Sequence, residues 1–90
     1  MQHRAATDFW QAYRTLPQAI RDRADKQFSQ LKSNPQHPSL HFKKIGERRG
    51  HEIWSVRATL NYRALAIKQS DGYLWFWIGD RRTYDTLVSS

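Results

Sequence analysis

The sequence contains no cysteine among its 90 residues, and it has no long hydrophobic run. The first absence excludes disulfide crosslinks, thiol chemistry and cysteine-based zinc sites. The second leaves no candidate for a membrane-spanning helix, and the opening residues lack the apolar segment of a signal peptide. We therefore expect a soluble protein of the cytoplasm.

Acidic residues are also scarce in this chain. Lysine and arginine together number 15, against 8 aspartate and glutamate residues, which gives a formal net charge of +7. Such an excess of positive charge favours a polyanionic partner. Nucleic acid, an acidic protein and a membrane surface all fit that description, and charge alone does not distinguish among them.

Aromatic side chains, by contrast, are abundant. Four Trp, four Tyr and four Phe are spread over a chain whose length fits a single domain, 1–90. A domain this small buries only roughly 60 to 65 per cent of its unfolded surface, so large rings must supply much of the core. The longest apolar run, 73–79, predicts a strand buried on both faces. Trp54, Trp75 and Trp77 are expected to lie in the core.

Two helical patterns open the chain. Thr7 or Asp8 is the predicted cap of the first helix, in which apolar residues recur at spacings of three and four: Phe9, Trp10, Tyr13 and Leu16. A capping-box pattern at 15–18 precedes a second helix, predicted over 17–32, with the apolar stripe Ile20, Ala24, Phe28 and Leu31. The prolines at 35 and 38 end this helix, because each disfavours helix in the residue before it.

Beyond the prolines the pattern changes to that of strands. Runs rich in β-branched and aromatic residues predict strands at 40–45, 52–59, 62–68 and 73–79. Their connections are short, so consecutive strands must be antiparallel neighbours. We therefore predict an α+β fold in which two N-terminal helices pack on a four-stranded antiparallel meander, followed by a short C-terminal helix.

Alternation within the strands places arginine on one side of the sheet. Arg57 shares a face with Ile53 and Ser55, and Arg63 shares a face with Leu65 and Ile67. A guanidinium in the middle of a sheet is costly to desolvate unless it is paired or faces a polar cleft. A cationic face flanked by Tyr62 and Tyr84 would suit a phosphate backbone with a stacked base.

Several motifs occur in a fixed order along nearly the whole chain. They are Phe9-Trp10-x-x-Tyr13-x-x-Leu16-Pro17, Asn34-Pro35-x-His37-Pro38-Ser39-Leu40-x-Phe42-Lys43-Lys44, Trp54-Ser55-Val56-Arg57, Tyr62-Arg63-Ala64, and Trp75-x-Trp77-Ile78-Gly79 followed by Tyr84-Asp85. In this combination the chain resembles the RelE/ParE superfamily of bacterial toxins from type II toxin–antitoxin systems. The resemblance implies a small α+β fold and a cognate antitoxin. Better known members cleave mRNA in the ribosomal A site, whereas members of the ParE branch poison DNA gyrase.

The resemblance also implies roles for particular residues. The catalytic set that it implies would be Arg57, Arg63, Arg81 and Tyr84. The basic and aromatic residues of the strands and strand ends separately predict an RNA-binding set, which is Lys43, Lys44, Tyr62 and Arg82. Arg57 and Arg63 would hold the scissile phosphate, and Arg81 would stabilise charge near the leaving group. The ring of Tyr84 would stack on a base. The expected reaction is attack by the RNA 2′-hydroxyl, which needs no metal ion or other cofactor.

The chain departs from the family pattern in two respects. Ile53 and Ser55 stand near where RelE-type nucleases have a lysine pair, and Arg81 stands where relatives often have histidine. Arginine stays protonated, so it stabilises charge but relays protons poorly. Candidates for a general base follow from residue type alone: His41, His51 and Glu52.

Three functions remain open at this point. The first is a ribosome-dependent mRNA endoribonuclease, and the second is a non-catalytic toxin that inhibits a protein such as DNA gyrase. The third is an antitoxin-binding corepressor that reaches operator DNA through the antitoxin. Structural roles also remain open for the site residues. The arginines at 57 and 63 would then pair with carboxylates at 52, 80 or 85, and Tyr84 would pack the last helix on the sheet.

Overall fold

The computed structural model describes residues 2–89, over which one sheet is combined with helices at both ends of the chain. The elements in chain order are β1 (Gln2–Ala5), α1 (Thr7–Arg14), α2 (Gln18–Ser33), a 3₁₀ turn (Pro38–Leu40), β2 (Lys43–Arg48), β3 (His51–Thr59), β4 (Tyr62–Gln69), β5 (Gly72–Asp80) and α3 (Arg81–Ser89). The order of strands in the sheet is β1-β5-β4-β3-β2. Within residues 2–89, no helix is long and apolar enough to cross a membrane.

The sheet is mixed and five-stranded, which corrects the predicted four-stranded antiparallel meander. The additional strand is β1, which pairs in parallel with β5 at the edge of the sheet. Its backbone is tied at both ends, since Gln2 N donates to Asp71 O and Ala6 N donates to Trp75 O, both at 2.9 Å. The backbones of β1 and β5 approach each other closely at Gly72, where φ is +156°. A Cβ at this position would lie 1.9 Å from Gln2 O. Strands β2 to β5 do form the predicted antiparallel meander.

The two N-terminal helices form close to where the periodicity predicts them. α1 is preceded by Ala6, which provides no side-chain cap, and the helix ends at Arg14. The predicted capping box is not formed, because the Thr15 hydroxyl donates backwards to Ala12 O at 2.7 Å. α2 begins directly after Pro17 and ends within one residue of the predicted position.

The first strand of the meander begins later than predicted. Leu40 is fully buried in the 3₁₀ turn, and β2 runs over Lys43–Arg48 with a bulge between Lys44 and Gly46. The turn to β3 contains only Arg49 and Gly50, whose φ angles are 53° and 80°. Two consecutive positive φ angles are typical of a type I′ turn, whose twist matches that of the flanking strands.

Helices α1 and α2 cover one face of the sheet, called here the helix face. A cross-strand row of Val56, Ala64 and Ile78 lies on this face, and each residue is at most 2 % exposed. The helices add further buried residues to this core: Phe9, Ala24 and Leu31. The opposite side, called here the open face, carries Ile53, Leu65 and Ile67, and the end of α3 borders it.

A bulge in β5 determines which aromatic residues reach the open face. Ala66 pairs with Trp75 and Leu65 pairs with Trp77, so Phe76 is the extra residue. The bulge interrupts the alternation, and Phe76 and Trp77 both lie on the open face, where they are partly exposed. The prediction that β5 is buried on both faces is therefore wrong for this face. Only its helix face is closed, with Trp75 at 2 % exposure.

Candidate nucleic-acid interface

The arginines of β3 and β4 lie side by side on the open face. Arg57 pairs with Arg63 across β3 and β4, and Arg63 pairs with Gly79 across β4 and β5. Residues that face each other across neighbouring strands project to the same side of a sheet, about 4.5 to 5.5 Å apart at Cβ. The alternation in the sequence predicts this shared face, and the register bears it out.

Arg63 is held in place by the backbone of the turn between β3 and β4. Its Nη1 donates to three carbonyl oxygens, those of Thr59 at 2.7 Å, Tyr62 at 3.0 Å and Leu60 at 3.2 Å. These bonds occupy one end of the guanidinium fork and fix its plane. The remaining donors of this partly buried side chain are left for a ligand.

The surroundings of Arg63 are crowded with positive charge. Desolvation by burial is the main cause that lowers the pKa of Arg63, and the charges of Arg81 and Arg57 lower it further. Tyr84 and Asp85 act on the same pKa in the opposite direction. An arginine remains protonated in spite of such a shift, so these three guanidinium groups form a concentrated cationic site.

α3 brings its first residues to this site through two fixed hydrogen bonds. Arg81 N donates to Asn61 O at 2.7 Å, which joins the start of the helix to the β3–β4 turn. The Asp80 carboxylate accepts from Thr83 N at 2.7 Å and so caps the helix. This bond is the largest of the causes that lower the pKa of Asp80. Arg81 and Tyr84 are thereby held near Arg63.

The arginines of this cluster have no carboxylate partner in the part of the chain that the structure describes. Ion pairs over residues 2–89 are Arg4–Asp71 and Lys44–Glu47. Glu52, one of the expected partners, instead accepts from Trp54 Nε1 at 2.9 Å. A pairing of Arg57 or Arg63 with an acidic residue is therefore not observed, and the cluster is open to an external anion.

The other sequence-predicted site residues are more dispersed. Lys43 pairs with Ser55 and lies on the open face near the sheet edge. Lys44 pairs with Trp54 on the helix side and forms a 2.7 Å ion pair with Glu47. Tyr62 packs against the hydrophobic core and not beside the arginines. Arg82 is exposed in the first turn of α3.

The candidate general bases lie away from the arginine cluster. His51 and Glu52 stand six and five residues before Arg57 on β3, which corresponds to roughly 20 Å and 17 Å along an extended strand. His41 is exposed in a left-handed conformation after the 3₁₀ turn. Within residues 2–89 the cluster therefore supplies positive charge and an aromatic ring, and its arginines form no ion pair with a carboxylate.

The sequence predicts that Trp77 lies in the core, whereas the structure places it on the open face beside the cluster. Its ring occupies the space above Gly79, because a Cβ at Gly79 would lie 2.4 Å from Trp77 Cζ2. The only signal in the sequence for this position of the indole is a glycine two residues after the tryptophan. Alternation predicts the wrong face, since the bulge at Phe76 reverses the phase of the strand.

An apolar groove of about 550 Å³ also opens on this side of the sheet. Its floor is formed by Ile53, Leu65, Ile67 and Phe76, and the end of α3 contributes Leu87 and Val88. Arg48, Arg49 and His51 contribute positive or titratable groups from the β2–β3 hairpin. The open face thus combines an arginine cluster with an adjoining apolar surface.

Comparison with known proteins identifies similar domains. The family model of the ParE-like toxin domain matches residues 18–86. The RelB–RelE antitoxin–toxin complex from Methanococcus jannaschii contains a chain that superposes with a TM-score of 0.69 at 22 % identity, over 92 % of this chain and 96 % of that one. The archaeal RelE–RelB complex from Pyrococcus horikoshii OT3 gives a TM-score of 0.68 at 14 % identity, over 89 % and 93 %. Curated protein sequences give no significant match.

Proposed function

Because the chain belongs to the ParE-like toxin domain family of the RelE/ParE superfamily, we propose that it is a toxin that cleaves mRNA on the ribosome. The observation that carries this proposal is the cluster of Arg57, Arg63 and Arg81 beside Tyr84, which has no carboxylate partner in residues 2–89. Translating ribosomes place its site of action in the cytoplasm.

The first step is capture of an RNA phosphate. Arg63 is fixed by carbonyl oxygens at one end of its fork, so its free donors are presented in one orientation. A fork held in this way suits the bidentate geometry of a phosphate, and pairs between guanidinium and phosphate are strong charge-assisted hydrogen bonds. A bound phosphate also relieves the mutual repulsion of the three guanidinium groups.

The reaction is an in-line displacement at phosphorus. The 2′-oxygen of the ribose forms a bond to the adjacent phosphorus while the bond from phosphorus to the 5′-oxygen breaks, giving a 2′,3′-cyclic phosphate and a free 5′-hydroxyl. Arg57 and Arg63 stabilise the charge that grows on the non-bridging oxygens, and Arg81 stabilises the leaving 5′-oxygen. Tyr84 stacks on a base. The arginines stay protonated, so solvent or the ribosome takes the 2′ proton and supplies one to the 5′-oxygen.

The test is primer extension on a defined mRNA in a purified translation system. We expect cuts at fixed codon positions that require ribosomes and that disappear with Arg63→Ala. The matched control is Arg23→Ala, which removes an exposed arginine from α2 on the other side of the sheet. Intact mRNA with a folded wild-type protein, or equal cleavage by Arg63→Ala, would overturn the proposal.

A cognate antitoxin is the partner that we propose for this toxin. The two similar structures are both complexes of a toxin with an antitoxin, and an acidic segment would find unpaired arginines on the open face. Binding there would exclude RNA, and the same complex would bring the toxin to operator DNA. Co-expression with the product of the neighbouring small gene should give a stable complex that no longer binds RNA. Separate elution of the two proteins would contradict this assignment.

A second candidate function is inhibition of DNA gyrase without cleavage of RNA. One observation favours it: within residues 2–89 no carboxylate forms an ion pair with Arg57, Arg63 or Arg81, and the expected bases His51 and Glu52 lie at the far end of β3 from Arg57. The experiment that separates the two functions is induction of the toxin in cells. Growth arrest with intact mRNA and loss of supercoiling in a purified gyrase assay would favour this function over the first.

A further inference from the structure

The bulge in β5 turns Trp77 out of the core and towards the arginine cluster. In a regular strand Trp77 would share the helix face with the buried Trp75. Because Phe76 is the extra residue, Trp77 pairs instead with Leu65 on the open face. Bulges are frequent beside functional sites, where they redirect a side chain. A large aromatic residue is thereby moved from a buried position to a partly exposed one.

Gly79 then leaves room for the indole next to the strand. A Cβ at position 79 would be 2.4 Å from Trp77 Cζ2 and 2.9 Å from its Cη2, so the ring fills the space of the missing side chain. Gly79 is also the residue directly opposite Arg63. The benzene ring of Trp77 therefore lies over the backbone position that faces Arg63 across β4 and β5.

Trp77 differs from the other three tryptophans in its contacts. Within residues 2–89, Trp75 Nε1 donates to His3 and Trp54 Nε1 donates to Glu52. Trp10 packs edge-on against Phe9 and Tyr13. For Trp77 the described part of the chain shows neither a ring contact nor a hydrogen bond from its indole nitrogen. The ring is held against the backbone without an aromatic or polar partner among residues 2–89.

We propose that Trp77 is a nucleobase-binding residue, whose indole stacks on a base next to the phosphate held by Arg57 and Arg63. This inference rests on the proposed RNA function and adds a second aromatic platform to it. A phosphodiester has one base on each side, and Tyr84 and Trp77 lie on different elements around the same arginine cluster. Stacking of both flanking bases would hold the phosphate in place for in-line attack.

The experiment measures binding of a fluorescein-labelled RNA hexamer, methylated at every 2′-oxygen so that it cannot be cleaved. Stacking on one aromatic side chain contributes about 1 to 3 kcal/mol per base, so Trp77→Ala should weaken binding roughly 5- to 150-fold. Trp77→Phe keeps a ring and should retain most of the affinity. The matched control Trp10→Ala, which removes a tryptophan that is 44 % exposed on α1, should leave the affinity unchanged.

Intrinsic fluorescence gives a second readout that does not depend on a truncated side chain. RNA should quench tryptophan emission of the wild type and of Trp10→Phe, but not that of Trp77→Phe. Undiminished affinity in Trp77→Ala, or quenching that survives in Trp77→Phe, would overturn the inference. If Arg63→Ala weakens binding while both Trp77 variants behave as wild type, the proposal that the protein binds RNA is retained and the proposal that Trp77 binds a base is rejected. If Arg63→Ala has no effect on binding either, both proposals are rejected.

Discussion

Arg63 illustrates how a single side chain can be oriented without a carboxylate. Three carbonyl oxygens of its own turn hold Nη1, and a carboxylate in their place would neutralise the positive charge of the side chain. The guanidinium therefore stays fixed and cationic, and its remaining N–H donors are available to a ligand. This arrangement also explains why an unpaired arginine is tolerated next to Leu65 in the middle of a sheet.

Replacement of Arg63 by lysine should separate charge from geometry. An ammonium can still reach the carbonyl oxygens, but it has no fork with which to hold a phosphate at the same time. Hydrogen bonds to charged groups contribute about 1.5 to 3 kcal/mol, so cleavage should fall roughly 10- to 150-fold. The measurement is the cleavage rate together with thermal unfolding, with Arg23→Lys on α2 as control. Full activity of the Arg63→Lys variant would show that charge alone is sufficient.

His3 makes the stability of the fold depend on pH. Its Nδ1 accepts from Trp75 Nε1 at 3.1 Å, which requires the neutral ring. Burial, followed by the charge of Lys32, lowers the pKa of His3 below its ordinary value of 6.5. Below that value the unfolded chain binds a proton more readily than the folded one, so this contribution is present above about pH 6.5 and is lost on acidification.

We therefore expect the unfolding temperature to drop between about pH 7.5 and pH 5, and to drop less in His3→Asn. The asparagine oxygen can accept from Trp75 but has no proton to bind in this range. Differential scanning calorimetry of the two proteins at matched ionic strength measures the difference. Equal pH dependence in both would show that His3 does not contribute.

At the scale of elements, the β2–β3 hairpin contains a residue poorly suited to its conformation. Arg49 has a φ of 53° in the two-residue turn, and Asn-Gly is the preferred sequence for such a turn. Arg49→Asn should raise the free energy of unfolding by about 0.5 to 1 kcal/mol, because asparagine adopts left-handed conformations more readily. Urea denaturation measures the change. Arg48→Asn, in the adjoining strand position, should give no such gain, and a gain in both variants would contradict the explanation.

The β5 bulge predicts that the effects of substitutions at Trp77 and Gly79 on stability depend on each other. Gly79→Ala should destabilise the domain and displace the indole, because the new Cβ meets Trp77. In Gly79→Ala combined with Trp77→Ala that contact is gone, so the two changes should be non-additive by about 0.5 to 3 kcal/mol. A double-mutant cycle based on urea denaturation measures this coupling. Additive effects would show that the ring does not occupy the space above Gly79.

The elements that the sequence predicts well are those with local periodicity. α2, β3 and β4 follow from apolar spacing, and the shared face of Arg57 and Arg63 follows from alternation. β1 has no such signal in Gln2–Ala5, and it forms only because it pairs with a strand some 70 residues away in sequence. The position of Trp77 depends on a bulge, which periodicity does not reveal. Tyr62 is expected at the site but faces the core. Consecutive residues of a strand point to opposite faces, so the alternation that places Arg63 on the open face directs Tyr62 away from it.

At the scale of the whole molecule, the sheet separates stability from function. The helix face holds most of the buried aromatic core, whereas the open face holds the arginine cluster, Trp77 and the apolar groove. The net charge of +7 attracts polyanions to the protein from any direction. If the arginine cluster and Trp77 form the binding site, RNA must bind to the open face alone.

The measurement that tests this requirement most directly is an NMR titration of the ¹⁵N-labelled protein with the uncleavable RNA hexamer. Each of the four tryptophans contributes one indole signal, and they report on both faces of the sheet. We predict that the signals of Trp77 and of the Arg63 guanidinium shift on addition of RNA, while that of Trp10 on α1 stays in place. Shifts of Trp10 with no change at Trp77 and Arg63 would place RNA on the helix side and contradict the account.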